Sequence, residues 1–202
     1  MKTKIILLLL VPSLFLQGSC IREDDGCPTY SLPKATQTGK NTIGCKVNGV
    51  VCVPRKAILL SPITKRLCYN DQTGDLSIRV DFLPTDKEYQ CGINDMSVSL
   101  SADELFNTGV VNFESWSAVV NITPQYQVSD EYHFISHLSG LSAELRITKL
   151  DRTERIISGT FHFDGYYIKS GVYDFSRKVY VTHGCFDILY NADGSCIEGY
   201  EN

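Results

Sequence analysis

Leu76, Ile78, Val80 and Phe82 alternate with Ser77, Arg79 and Asp81, the period of two that gives an extended strand one apolar and one polar face. The period recurs at Met96, Val98 and Leu100 against Ser97 and Ser99, and at Ala143, Leu145 and Ile147 against Glu144, Arg146 and Thr148. It recurs again at Ile157, Gly159, Phe161 and Phe163 against Ser158, Thr160 and His162. Half-buried strands at short spacing, with few helix signals between them, predict an all-β fold: an antiparallel β-sandwich or open barrel. One short helical turn is expected over Ser101–Phe106, because Ser101 and Glu104 stand at capping-box spacing.

The turns add register. Val47-Asn48-Gly49-Val50 is a type I′ hairpin signal, since both central positions of that turn need positive φ. Its strands are expected at Ile43–Val47 and Val50–Val53, ending at Pro54. The register opposes Cys45 to Cys52, a candidate disulfide, and points Ile43, Cys45, Val47, Val50 and Cys52 at the core. The last long strand, Lys178–Tyr190, changes phase: Val179 and Val181 are odd-numbered, whereas Phe186, Ile188 and Tyr190 are even. One inserted residue is required, and Gly184 is the natural place for a bulge. Asn70–Asp75 reads as a hairpin turn, although its oxygen ligands would also suit calcium.

The chain begins with a different pattern. Lys2 and Lys4 precede an apolar run from Ile5 to Leu16, then Gln17, the small residues Gly18 and Ser19, and Cys20. The run is about 12 residues, too short to cross ~30 Å of hydrocarbon as a helix, and it has the layout of an export signal. Leu16-Gln17-Gly18-Ser19-Cys20 resembles a bacterial lipobox, with its leucine one place earlier than usual. That resemblance implies cleavage before Cys20 and lipid on Cys20, and two or more fatty-acid chains give stable anchoring. Arg22, Glu23, Asp24 and Asp25 follow, resembling the acidic signal that sends lipoproteins of the Bacteroidota to the cell surface. The expected organisation is a signal peptide at 1–19, a lipidated cysteine and flexible acidic tether at 20–41, a β-domain at 42–190 and a loose C-terminal tail at 191–202.

Composition narrows the partners. The chain has 202 residues, a length that suits one domain with tails. Loss of residues 1–19 removes two lysines and no acid, taking the formal charge from −4 to −6. An acidic chain without a basic patch predicts no nucleic-acid partner, so membrane attachment would run through the lipid.

Three passages together resemble a family of uncharacterised Bacteroidota lipoproteins with a small all-β domain. They are Cys45-Lys46-Val47-Asn48-Gly49-Val50, then Ile147–Asp151 leading into Ile157-Ser158-Gly159-Thr160-Phe161-His162-Phe163, and Val181-Thr182-His183-Gly184-Cys185-Phe186-Asp187. His183 stands where the family pattern has Asn. The resemblance implies an all-β domain of unknown function with no catalytic residues to transfer; with the acidic signal after Cys20, the expected location is the outer membrane facing outward, the periplasmic face being the alternative.

Candidate chemistry is sparse. Of eight cysteines, seven remain once Cys20 is lipidated, an odd number that leaves at least one thiol without an intrachain disulfide. No CxxC and no Gly-x-Ser-x-Gly occurs. His133 and His137 would lie ~13 Å apart on a strand, too far to share a metal. Carboxylates at Asp103-Glu104, Asp130-Glu131 and Asp151–Glu154 suit turns better than an acid/base pair. No metal or cofactor is expected. Asp164–Arg177 reads as a long loop between strands. It holds Tyr166, Tyr167, Tyr173 and Phe175, candidate ligand-binding residues able to stack on sugar rings or enter a partner's pocket. The expected function is a non-catalytic, lipid-anchored binding module for a glycan or protein partner at the cell surface. The alternatives are a glycan-active hydrolase, which needs two converging carboxylates, and a lipocalin-like carrier, which needs an apolar cavity.

Overall fold

A computed structural model of the chain describes residues 31–54, 65–82, 95–123, 130–134 and 140–199. Nearly all regular structure in them is β, and the strands join into one strongly curled antiparallel sheet that forms a half-barrel. The strands are β1 (Thr42–Val47), β2 (Val50–Cys52), β3 (Lys65–Tyr69), β4 (Leu76–Phe82), β5 (Asp95–Ala102), β6 (Gly109–Val110), β7 (Trp116–Thr123), β8 (Asp130–Phe134), β9 (Ala143–Asp151), β10 (Ile156–Lys169), β11 (Val172–Leu189) and β12 (Ile197–Gly199). Neighbours follow the order β12-β3-β4-β5-β7-β8-β10-β11-β1-β2, while β9 pairs with β10 and β6. One edge of β10 pairs with β11 throughout, and the other serves two neighbours in turn: β9 up to Phe163, then β8 from Tyr166 to Ile168.

The alternating apolar positions meet on the concave side. Leu67, Ile78, Leu100, Leu145, Ile157 and Ile188 are fully buried there, with Phe134 and Phe163 among them. Trp116 packs 4.6 Å from the Phe134 ring and edge-on to Phe163 at 6.2 Å. Each such side chain contributes roughly 1.5–3 kcal/mol on leaving water.

The Asn48-Gly49 hairpin forms as its signal predicts, with φ of 49° and 86° at the two positions. Cys45 stands opposite Cys52 in the ladder. Their sulfurs are nevertheless not joined in a disulfide. After a two-residue turn, Val47/Val50 is a hydrogen-bonded pair, and so is Cys45/Cys52 two steps on. Such pairs hold Cα atoms ~5.5 Å apart, a spacing that disulfides span, so Cα separation is not what keeps the two thiols unjoined. Cys68 and Cys196, which do bond, have Cα atoms 4.2 Å apart. Val50 is 39% exposed, so it does not join the core. Asn70–Asp75 is a hairpin turn, closed by the Gly74 amide on the Asn70 carbonyl.

The phase change in β11 is a bulge shared with both neighbours: Phe161 pairs with Gly184, Phe163 with Val181, Gly44 with Cys185 and Lys46 with Thr182. The left-handed residue is His183, at φ 54°. Gly184 serves packing instead, since a Cβ there would lie 2.4 Å from the Phe161 ring.

Four expectations are corrected. Ser101 and Ala102 finish β5, and no helical turn follows. The Leu105 amide donates to the Gly74 carbonyl and the Tyr69 hydroxyl to the Leu105 carbonyl at 2.6 Å, burying Leu105. Two tertiary bonds outcompete one helical turn, whose nucleation is unfavourable. A short 3₁₀ turn lies later, at Phe113–Ser115, with Asn112 Oδ1 accepting the Glu114 amide. Asp164–Arg177 is not a loop: β10 and β11 run through it and meet at a tight turn on Ser170 and Gly171, φ 51° and 79°. Residues 36–41 are docked on the sheet, not a flexible tether. The tail returns as β12 against β3, clamped by Cys68–Cys196.

Candidate functional site

Among the described residues, the most exposed aromatic side chain, Phe175, is on the β10–β11 hairpin. Tyr166 pairs with Lys178 but Tyr167 pairs with Asp174, so Phe175, Ser176 and Arg177 are pushed out of the ladder as a bulge. Asp174 holds this bulge: its Oδ1 accepts from the Ser176 amide at 2.9 Å and the Ser176 hydroxyl at 2.6 Å. These hydrogen bonds keep the Asp174 carboxyl below its ordinary range.

Phe175 is 61% exposed. Its ring stacks on Tyr173 at 6.2 Å and meets the edge of Tyr166 at 4.9 Å. Tyr166 is buried beneath it, with Lys178 Nζ 4.9 Å from its ring centre. Tyr173 leans edge-on against His133, which contacts the Glu131 carboxylate. Burial, and then the charge of Glu131, raise the Tyr173 hydroxyl above its ordinary pKa, so it remains a neutral hydrogen-bond donor.

Arg177 fixes the bulge from the core side. Its guanidinium lies 3.8 Å over the Tyr167 ring and donates to Asp130 at 2.6 Å and to the Tyr132 hydroxyl at 3.2 Å. The Asp130 bond is the main reason its pKa rises even further above neutrality. Tyr167 packs against the core. The four aromatics predicted from sequence therefore divide by role. Phe175 and Tyr173 face solvent as a shelf, Tyr166 supports them, and Tyr167 carries Arg177. Sequence reasoning missed Arg177, Asp130, Lys178 and His133, whose partners sit on three strands. The Ser170-Gly171 dipeptide was the available signal for the hairpin.

A second feature lies on the face of β9, β10 and β11 turned away from the core, where residues 32–41 form a strap. The Asp187 carboxylate is buried beneath it. It accepts from Thr36 Oγ1 at 2.6 Å, from the Thr38, Gly39 and Lys40 amides at 2.9–3.2 Å, and from Ser158 Oγ at 2.8 Å. Burial alone would raise its pKa, but these donors outweigh it and hold the carboxyl at about 2. Farther along, Cys185 Sγ lies 3.5 Å from the Pro33 carbonyl, and burial pushes its thiol up. Between strap and sheet runs a groove of about 360 Å³, lined by Leu32, Pro33, Ala35, Glu144, Thr160, His162 and His183 among others.

Asp103 and Glu104 are exposed, and the other carboxylate candidates have structural partners. Asp130 serves Arg177, Glu131 contacts His133, and Asp151 caps the β9–β10 turn through the Thr153 and Glu154 amides. Cys45 and Cys52 hydrogen-bond to each other, and this bond together with burial raises the Cys45 thiol well above its ordinary value. Cys20, Arg22, Glu23, Asp24, Asp25, Cys27, Cys91 and His137 lie outside the described residues. Among the described residues no helix is long and apolar enough to cross a membrane. Comparison of the chain with protein-family models, with curated proteins and with solved structures returned no match, so the functional reading rests on the residues themselves.

Proposed function

We propose that this chain is an exported lipoprotein, held on the outer membrane by lipid on Cys20, whose non-catalytic β-domain presents the Phe175–Tyr173 shelf to a glycan at the cell surface. The carrying observation is the shelf itself: an exposed phenylalanine on a braced bulge, stacked on one tyrosine and backed by another. Single exposed apolar side chains are ordinary, but neighbouring aromatic rings held together at the surface form the kind of contiguous patch that marks an interaction site. Flat rings held in place suit the apolar faces of sugars, with Tyr173 and Lys178 as nearby donors. The interior a carrier would keep open is filled by Trp116, Phe134 and Phe163, which favours display over carriage. The acidic tether after Cys20 supports an outward orientation.

The test is a panel of surface and dietary polysaccharides, read by affinity electrophoresis against the parent chain and Phe175→Ala. Binding by the parent and a loss of about tenfold or more in the variant supports the reading, since stacked aromatic pairs are worth ~0.5–1.5 kcal/mol beyond their buried area. No binding by the parent, or equal binding by both, refutes it.

A further inference from the structure

We infer that the occupant of this surface is an extended oligosaccharide of β-1,4-linked sugars, laid lengthwise along the outer face of β10 and β11 from the Phe175 shelf to the strap. The inference rests on the glycan reading above and names the kind of glycan. Alternation supplies the track. Ile157, Phe161 and Phe163 of β10 are buried in the core, so Thr160, His162, Asp164 and, beyond them, Tyr166 line up on the opposite face. On β11, Val179 and Val181 face the core, which leaves Lys178, Tyr180 and Thr182 outside. Tyr166 pairs with Lys178 and Asp164 with Tyr180, and His162 lines the groove beside the strap. The track runs ~13 Å from Tyr166 to His162, at ~3.3 Å per residue. Phe175 extends it toward the hairpin tip, its ring 4.9 Å from that of Tyr166.

Tyr180 turns the shelf into a track. It is a second exposed aromatic on this face, 50% exposed, and stands one pleat beyond the Tyr166–Lys178 pair. Lys178 therefore lies between the two exposed rings along β11. The position of Tyr180 is fixed from behind. Its amide donates to Asn48 Oδ1 at 2.9 Å, and its carbonyl accepts from the Asn48 amide at 2.8 Å. Polar groups border the ring: Asp164 across the ladder, Asn48 on the other side, and Lys46 beside Thr182 on the next strand. A sugar needs this arrangement, an apolar ring for its C–H face and donors and acceptors at the rim for its hydroxyls.

The shape of the track selects the linkage. Its rings and polar groups follow one strand pair, so the ligand that touches all of them is straight. Sugars joined β-1,4 through equatorial bonds form an extended ribbon with flat C–H faces, whereas α-linked chains coil away from a straight line. The two ends of the track differ. At the hairpin tip it is open. At the other end Leu32 and Pro33 of the strap stand as an apolar wall beside the exposed His162 and His183 rings. Among the described residues neither imidazole has a hydrogen-bond partner, so both are available to the hydroxyls of the last sugar. Each added sugar therefore gains contacts until the chain meets the strap.

The test is calorimetric titration of the full mature chain with ladders of β-1,4-linked gluco-, manno- and xylo-oligosaccharides, from disaccharide to octasaccharide. With at least one ladder, affinity is expected to climb with length and then level off once the chain reaches the strap. Phe175→Ala should weaken every length. Tyr180→Ala should cost about fivefold or more on the long oligomers, the worth of one stacked ring, with a loss that shrinks as the chain shortens. Tyr180→Trp keeps a ring there and should restore what Tyr180→Ala loses, which separates a lost contact from a disturbed fold. A parent that binds a polysaccharide but none of the ladders, or gains nothing from length, overturns the track and leaves the Phe175 shelf standing. The same holds if Tyr180→Ala weakens no oligomer. A parent that binds no glycan of any kind overturns both.

Discussion

Replacing Asp187 with Ala should detach the strap and cost the domain several kcal/mol. The carboxylate accepts five hydrogen bonds, three from backbone amides and two from hydroxyls. Once the acceptor is gone, the Thr36, Thr38 and Lys40 donors can turn to water. The Gly39 amide and the Ser158 hydroxyl are buried and cannot do so without moving the strap. Two stranded buried donors cost about 1–3 kcal/mol each, so we expect a loss of about 3–4 kcal/mol. For a domain of this size that is a fall of roughly 10 °C in melting temperature. The same carboxylate has a pH signature. Its folded pKa of about 2 lies below the ordinary 3.8, so its stabilisation is complete above about pH 4 and is lost as pH falls toward 2. The difference is worth roughly 2 kcal/mol. Urea unfolding from pH 2 to 7 should therefore show a step in the parent that is missing from Asp187→Ala. Amide exchange at Thr38, Gly39 and Lys40 should accelerate in the variant. A variant that melts within a degree of the parent and protects those three amides equally would refute the strap as described.

Three further outcomes follow from particular contacts. Gly184→Ala brings a methyl to 2.4 Å from the Phe161 ring, overpacking that should cost about 1–3 kcal/mol in chemical denaturation. Cys196→Ser opens a closure spanning 128 residues and should cost about 2–4 kcal/mol, with exchange protection lost first along β12. Arg177→Met keeps the stem over Tyr167 but removes the bond to Asp130. On a partly exposed pair that costs only about 1 kcal/mol, and the readout is faster amide exchange at Ser176 and Arg177.

The parts of this fold that were legible in the sequence are those set by short-range rules. Period-two patterning located β4, β5, β9 and the first half of β10, because one face of each is buried and the other wet. The Asn48-Gly49 turn and the broken phase before Phe186 were legible because a backbone conformation and a register each admit few residues. The second half of β10 was not. Gly165, Tyr166 and Tyr167 are all wholly or partly buried, as the outward-facing Tyr166 lies under Phe175, so alternation vanishes there. The docked strap was illegible because its polar residues read as solvated until Asp187, far along the chain, supplies an acceptor. His162 and His183 share a groove through strand pairing alone, and their sequence spacing carries no sign of it. The helical turn expected over Ser101–Phe106 does not form because Leu105 is fastened to the β3–β4 turn, a contact that no local pattern encodes.

The central claim is that a β-display domain hangs from a membrane by lipid on Cys20, and metabolic labelling with a radioactive fatty acid tests it most directly. In a bacterial host that processes lipoproteins, the parent chain should incorporate label and sediment with the outer membrane, while Cys20→Ala should do neither. Label and sedimentation retained in the Ala variant, or a parent chain recovered unlabelled and soluble, would contradict the account.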